Sequence, residues 1–391
     1  MSEAVIAGVG MTQFGKFLDR NLKSLCEEAV RDALVDANVQ PSQIECVFFA
    51  NAAAGVVTGQ EMIRAQSSLR NTGLAGKPMF NIENACASSS SALNLARATV
   101  VSGQYECVLV VGAEKLTHED KRVSFGAFAA AVDLEETLDA TIGTGTGSVF
   151  MDIYANKTRK WMKNAGVEIE DFARVCVKSR LAGSLNSKAQ FRRTTTIEEV
   201  LNSRMVSDPL TLFMCSSIGD GASAIVICSA EFARKLGVKV PVYIKACSVV
   251  SATGVPGAEL VAVSAARLAY EEAGVGPEDI HVAELHDASA PAELIHYENL
   301  GLCQPGEAGA LIRSGATSIG GRISVNPSGG LLSRGHPVGA TGSAQIVELT
   351  EQLRGQAGSR QRPGAKVALA ENNGGQMSGD SAVALVTILT T

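Results

Sequence analysis

Short apolar runs alternate along this chain with longer stretches whose apolar residues recur at helical spacing. Val5 to Gly10 reads as a buried strand. Leu22 to Ala37 carries Leu22, Leu25, Ala29, Val30, Ala33 and Leu34 on one face of a helix. Pro41 then starts a turn, and Ile44 to Phe49 is a second strand. Pro78 to Ile82 is strand-like and leads through Asn84-Ala85-Cys86-Ala87-Ser88 into a small-residue helix, Ala92 to Val101. Cys107 to Gly112 is a further buried strand.

The same order returns. Val242 to Ala246 is a strand and Glu259 to Ala273 a helix; Val275 to Asp287 repeats the proline-turn-strand unit of Val39 to Asn51, 236 residues later. Gly335-His336-Pro337 opens a small-residue helix, Ala340 to Leu353, as Ala85-Cys86-Ala87 does 250 residues before. Val367 to Ala370 answers Val108 to Val111, and Gly379 to Val386 answers Gly219 to Val226. So long a repeat describes a duplicated domain, each half a mixed sheet with helices on both faces. Packing the two small-residue helices against each other brings Cys86 and His336 together. The expected organisation is an N-terminal half over 1–116 and 215–238, an inserted domain over 117–214, and a C-terminal half over 239–391.

Composition narrows the classes. A chain of 391 residues, 46% hydrophobic and 19% charged, suits a globular enzyme with ample core. A net charge of −6 without a basic stripe gives no case for nucleic acid. No apolar run is long enough to span a membrane, and Met1 to Ile6 lacks the basic and apolar regions of a signal peptide. Nine cysteines without CxxC pairs disfavour a disulfide framework or a metal site and suit a reducing, cytoplasmic setting. The insertion is rich in Lys and Arg, including Lys121, Lys157, Lys178 and Arg193, and holds the only Trp, Trp161. Basic residues there suit either a phosphate-bearing arm or an ordinary solvated surface, since acids are interspersed.

The candidate chemistry centres on Cys86. At a helix N-terminus its thiolate would be favoured by unpaired N–H groups and the helix dipole, and small neighbours leave room for an acyl group. By itself it is equally a small buried hydrophobe. A histidine brought against it makes an activated nucleophile.

With Asn84-Ala85-Cys86-Ala87-Ser88, His286-Asp287-Ala288, the run Asn326 to Gly342 and Asn372-Asn373-Gly374-Gly375-Gln376-Met377 in view, the chain resembles a thiolase over its full length. The nearest branch is that of the sterol-carrier-protein-type thiolases and acetyl-CoA acetyltransferases. The resemblance implies an α/β, five-layer α-β-α-β-α fold of two duplicated halves plus an inserted, CoA-covering loop domain. It implies coenzyme A as co-substrate, no covalently bound cofactor, and a homodimer or homotetramer. It makes Cys86 the acylated nucleophile and His336 the base. The oxyanion donors it implies are the N–H groups of Cys86 and Gly374, with His286 and His336 forming a second set. Ser216, Asn372 and Ala288 are assigned to substrate binding. His118, His281, His296 and Cys303 read as structural.

One departure stands out. Thiolases carry a second cysteine as acid/base, in the C-terminal glycine loop or after His-Asp. Here those places hold Asn372 and Ala288, and no cysteine follows Cys303. An amide and a methyl group transfer no proton at neutral pH. The expected activity is CoA-dependent cleavage, or Claisen formation, of a 3-oxoacyl-CoA through acyl-Cys86, on a branched or bulky substrate. Two alternatives stay open: decarboxylative ketoacyl-synthase-like or retro-aldolase chemistry, and a CoA-ester-binding subunit of a complex. A small zinc-ribbon/OB-fold protein is the expected partner in the last case.

Overall fold

A computed structural model describes residues 3–143, 148–255 and 257–391. Met1 and Ser2, used above in reading the N-terminus, lie outside it, as do residues 144–147 of the insertion and 256 of the second half. Ten strands form one mixed sheet: β1 (Ala4–Met11), β2 (Cys46–Ala50), β3 (Met79–Ile82), β4 (Cys107–Glu114), β5 (Gly221–Ser229), β6 (Val242–Ser251), β7 (Val282–Glu284), β8 (Ser324–Val325), β9 (Val367–Gly374) and β10 (Val383–Thr390). Their order is β8-β7-β9-β10-β6-β1-β5-β4-β2-β3. Reading outward from the centre, each side places its first, fifth, fourth, second and third strand in the same sequence. The inner strands on both sides are antiparallel, and the outer three run parallel. The two sides join through Val5 opposite Tyr243 and Ile6 opposite Val242.

Local signals fix several elements. The Leu22–Ala37 helix starts where the Asn21 side chain accepts the Ser24 N–H at 2.9 Å and ends at Asn38 in the left-handed region, φ 53°. Its Leu25, Ala29, Val30 and Ala33 pack on one face of the N-terminal strands. The Val261–Ala273 helix does the same for the C-terminal strands, together with the Ile169–Ser184 and Ala290–Asn299 helices. Between the two sets of strands lie the Ser88–Val101 and Thr341–Leu353 helices. Leu93 and Ala96 of the first and Ile346 and Leu349 of the second share a core with strands of both halves. The two five-stranded halves of the sheet thus lie on either side of the helix pair, each with helices on its outer face, in the five-layer order that the resemblance implies.

The central pair is why small residues crowd this region. A Cβ on Gly342 would lie 2.0 Å from Ser90 Oγ and 2.6 Å from Asn372 Nδ2. Buried hydroxyls stitch the same contact: Ser89 Oγ accepts the Ser343 N–H at 2.9 Å, and Ser343 Oγ lies 2.6 Å from Ser223 Oγ. Both helices are entered through a 3-10 turn, Ala85–Ala87 and Val338–Ala340. The first helix therefore begins at Ser88, four residues before the sequence suggests. Ser88 and Ser91 return their hydroxyls to Ala85 O (2.6 Å) and Ala87 O (3.0 Å), which removes the penalty for burying them.

Among the described residues, no helix is long and apolar enough to cross a membrane.

Candidate active site

Cys86 sits in the turn Ala85–Ala87, one residue after Ala85, whose φ of 49° is unusual for a residue with a side chain. Ala85 is held there by its N–H to Glu83 Oε1 at 2.5 Å. Such strain persists only where surrounding contacts enforce it, and it turns the next side chain into the interior. His336 stands just before the matching turn, Val338–Ala340, and His286 follows β7. A donor atom from each of Cys86, His286 and His336 lies within 4.8 Å of the other two. The two rings are edge to face, with centroids 5.3 Å apart and planes at 84°. All three residues are only 5–8% exposed, so the cluster has a narrow opening to solvent.

The hydrogen bonds fix the tautomers. His336 Nδ1 is 2.7 Å from Thr341 Oγ1, and that hydroxyl spends its one proton on Pro337 O at 3.1 Å. His336 Nδ1 must therefore donate, and its Nε2 carries a lone pair. Asn372 Nδ2 donates to Cys86 O and Ser90 Oγ, each at 3.0 Å, so its Oδ1 is the atom 2.8 Å from His286 Nδ1. His286 Nδ1 also donates, and its Nε2 is likewise a base. Burial keeps both rings neutral: His286 is pushed down to about 4, and His336 well below the ordinary imidazole value.

The thiol behaves differently from its sequence expectation. Burial, and next the carboxylate of Glu114, push Cys86 up to about 12. The N–H groups of Cys86 and Gly375 point at the sulfur and act the other way, but do not win. Desolvation outweighs the helix N-terminus, so the resting group is a thiol that needs a base beside it. Glu114, fully buried, accepts the N–H groups of Ala52, Ala53 and Gly339 at 3.0–3.2 Å and so ties the loop after β2 to the turn after His336. Asp287 does the same on the other side, accepting the Leu331 N–H at 2.7 Å.

Around the sulfur is an apolar wall of Ala53, Val57, Leu116, Ala127 and Val338, with Val123 and Phe128 packed against it. Val123, Ala127 and Phe128 belong to the Lys121–Ala129 helix of the insertion. The Val149–Met162 helix adds Tyr154, whose phenol is raised by burial and by proximity to Cys86, and Lys157, bonded to Gln376 Oε1 at 3.0 Å. Of the insertion's basic residues, Lys178 is an internal partner of Glu293 at 2.6 Å. Lys121, Lys160, Lys163, Arg192 and Arg193 face solvent.

The residues named from sequence divide three ways. Cys86, His286 and His336 converge. Asn372 is 1% exposed with both amide atoms engaged as above, a bracket between His286 and the Cys86 turn. Gly374 lies against that turn too closely for a side chain, 2.2 Å from its would-be Cβ to Asn84 O, while the N–H that reaches the sulfur is that of Gly375. Ser216 donates its N–H to Ala288 O at 3.0 Å, and Ala288 is buried at 2% exposure beside Asp287. Behind His286, its N–H reaches Glu371 Oε2 at 2.9 Å, and Glu371 Oε1 lies 3.8 Å from His296 Nδ1. Thr341, Gly375 and Glu371 went unnoticed in the sequence. All three lie inside or beside motifs quoted above; Thr341 acts on His336 five residues away, whereas Glu371 and Gly375 meet His286 and Cys86 from distant parts of the chain.

Comparison with known proteins identifies the family. "Thiolase, N-terminal domain" matches residues 4–231, and "Thiolase C-terminal domain-like" matches residues 252–387. The chain is 37% identical over 379 residues to benzoylsuccinyl-CoA thiolase subunit BbsB of Thauera aromatica, covering 95% of this chain and 94% of that one. It is 37% identical over 382 residues to an acetyl-CoA acetyltransferase of Methanothermobacter thermautotrophicus, covering 96% and 97%. Sterol carrier protein 2 of Bos taurus is 37% identical over 383 residues, 94% of this chain and 69% of that longer protein. Among solved structures, an Ltp2-ChsH2(DUF35) aldolase superposes with a TM-score of 0.81 at 26% identity, covering 99% and 97%. Human mitochondrial 3-ketoacyl-CoA thiolase shares the fold, with a TM-score of 0.75 at 18% identity over 100% and 99%.

Proposed function

This chain belongs to the thiolase family and is an acyltransferase of it, and we propose that it cleaves, or in reverse forms, a 3-oxoacyl-CoA through an acyl group carried on Cys86. The supporting observation is the convergence of one thiol with two neutral imidazoles, both presenting unprotonated Nε2. His336 Nε2 takes the thiol proton. The sulfur then adds to the 3-oxo carbon, and the oxyanion is met by the N–H groups of Cys86 and the Gly374–Gly375 turn. The C2–C3 bond breaks, its electron pair passes to the thioester enolate, and the enolate takes the proton that His336 received from the thiol, passed on through His286, and leaves as the C1–C2 acyl-CoA while the shortened acyl group stays on Cys86. Coenzyme A then gives its thiol proton to an imidazole and attacks acyl-Cys86, releasing the second acyl-CoA and the free thiol. Two bases serve where the family uses one histidine and a second cysteine, so His286 takes the role that neither Asn372 nor Ala288 can fill. Coenzyme A is the co-substrate in this reading, with Ser216 near the path of its pantetheine arm.

A second reading has its own support. The aldolase neighbour, at 26% identity over nearly the whole chain, makes C–C cleavage without CoA attack a rival. The names of that structure and of the Thauera subunit also support assembly with a second, different polypeptide; a small zinc-ribbon/OB-fold protein is the partner proposed, beside self-association. Product analysis distinguishes the two readings. Purified chain, alone and with such a partner, is given a branched 3-oxoacyl-CoA with and without free CoA and, in parallel, the matching 3-hydroxyacyl-CoA, from which an aldol cleavage can release a ketone or aldehyde. Two acyl-CoA products formed only with CoA support thiolysis. A ketone or aldehyde released without CoA consumption refutes it in favour of the aldolase reading.

A further inference from the structure

We propose that Cys86, His286 and His336 also form a binding site for a thiophilic divalent cation, Zn2+ above all, and that its occupation shuts off acyl transfer. Nothing in the spacing of cysteines along the chain marks such a site; it exists only because the two halves bring the three side chains together. Three features favour it.

The first is the donor set. Thiolate sulfur and imidazole nitrogen are both ligands zinc takes, and three protein ligands leave a fourth position open, as in its catalytic sites. Here the three donor atoms lie within 4.8 Å of one another. Zinc–sulfur and zinc–nitrogen bonds of about 2.3 and 2.0–2.1 Å in a tetrahedron set donors roughly 3.4–3.6 Å apart, so the widest pair must close by little more than an ångström. The second is ring geometry. Two imidazoles bound through Nε2 to one tetrahedral ion have centroids roughly 5 Å apart, given those bond lengths. The centroids observed are 5.3 Å apart. The third is the outer support. Metal-bound histidines hold their second ring nitrogen against an oxygen, which fixes the tautomer and aims the lone pair. His286 Nδ1 is so held by Asn372 Oδ1 at 2.8 Å, and His336 Nδ1 by Thr341 Oγ1 at 2.7 Å.

Binding exchanges the thiol proton for the cation: the S–H bond breaks, the sulfur keeps the electron pair and bonds the metal, and the proton leaves to solvent. The fourth position, toward the narrow opening, takes water. In that state the nucleophile and both bases are engaged at once, so Cys86 can take up no acyl group. The site's existence depends only on the geometry of the three side chains; the loss of activity depends also on Cys86 being the acyl carrier.

Cobalt(II) tests the site, because a cobalt–thiolate bond gives a near-ultraviolet charge-transfer band. Metal-free full-length protein titrated with Co2+ is expected to develop this band with one equivalent per chain, and Zn2+ to abolish it. Cys86→Ser and iodoacetamide-treated native protein should both lack the band, the second serving if the variant misfolds. His286→Gln and His336→Gln, checked by thermal melting, should each bind roughly tenfold or more weakly. No band on native protein, or a band that survives loss of the Cys86 thiol, overturns the proposal. In parallel, Zn2+ should inhibit acyl transfer and a chelator restore it; full activity at saturating Zn2+ overturns the regulatory half. A cobalt band on a protein with no acyltransferase activity would leave the site standing and the acyl-transfer reading refuted.

Discussion

Thr341→Val removes one oxygen from the site and very little volume, and its effect can be worked from two hydrogen bonds. In the native protein Thr341 accepts the His336 Nδ1–H and gives its own proton to Pro337 O. Valine leaves a buried Nδ1–H without an acceptor, which costs about 1–3 kcal/mol. The ring avoids that cost by moving its proton to Nε2, where it faces Cys86 and can no longer accept the thiol proton. The base-competent fraction then falls by roughly 5- to 150-fold, at about 1.4 kcal/mol per factor of ten. Thiolate formation should fall by the same factor, because a thiol held up at about 12 depends on its neighbour. The assay is the rate of iodoacetamide labelling of the Cys86 peptide at neutral pH, followed by mass spectrometry, beside single-turnover acylation. Thr341→Ser keeps both hydrogen bonds and should retain near-native rates. Labelling of Thr341→Val within twofold of native, in a protein that melts normally, would mean that the thiol proton goes elsewhere, to His286 for example, and the role given to His336 would be refuted.

Three further outcomes follow from the same contacts. Gly342→Ala drives a methyl group to within 2.0 Å of Ser90 Oγ between the central helices, and should lower stability by about 1–3 kcal/mol or more in a denaturant titration; an unchanged midpoint would mean the helices part freely. Arg334→Met strips the buried partner from Glu284, now 2.9 Å away, and should cost about 3–5 kcal/mol by the same measurement, whereas the double change with Glu284→Gln should recover part of it. Glu371 is raised from 4.5 to about 8 by burial. A carboxyl group whose folded value is raised contributes stability in full below its unfolded value and loses it as pH climbs through the folded one. The cost at pH 7 is thus up to about 3 kcal/mol, so Glu371→Gln should stabilise the protein near pH 7 and make no difference near pH 4.5; equal effects at both would rule this out.

Much of the fold was legible because its signals are local. The Leu22–Ala37 helix has both its ends and its buried face written in its own residues, and the repeat exposed the two-fold plan before any strand was paired. What was misread depends on partners far away in sequence. β6 runs to Ser251, five residues beyond Ala246, because β10 offers it a continuous antiparallel edge. The helix at Ser88 starts early because burial in the central layer overrides the preference of serine for caps and turns. At the site, the pair Cys86 and His336 could be anticipated from the duplication, but the state of the thiol could not. A helix N-terminus argues for a thiolate, and only the apolar wall and Glu114, drawn from several segments, show that burial prevails. Likewise the three hydrogen bonds of Asn372 belong to His286, Cys86 and Ser90, and no local pattern announces them.

The acyl transfer proposed for this chain passes through a covalent bond at one sulfur. Native protein mixed with a 3-oxoacyl-CoA, quenched in acid within the first turnover and digested, should show the acyl mass on the peptide containing Cys86, absent from Cys86→Ala and discharged by added CoA. An acyl group found on another residue, or turnover at native rate with no adduct at any time point, would contradict it.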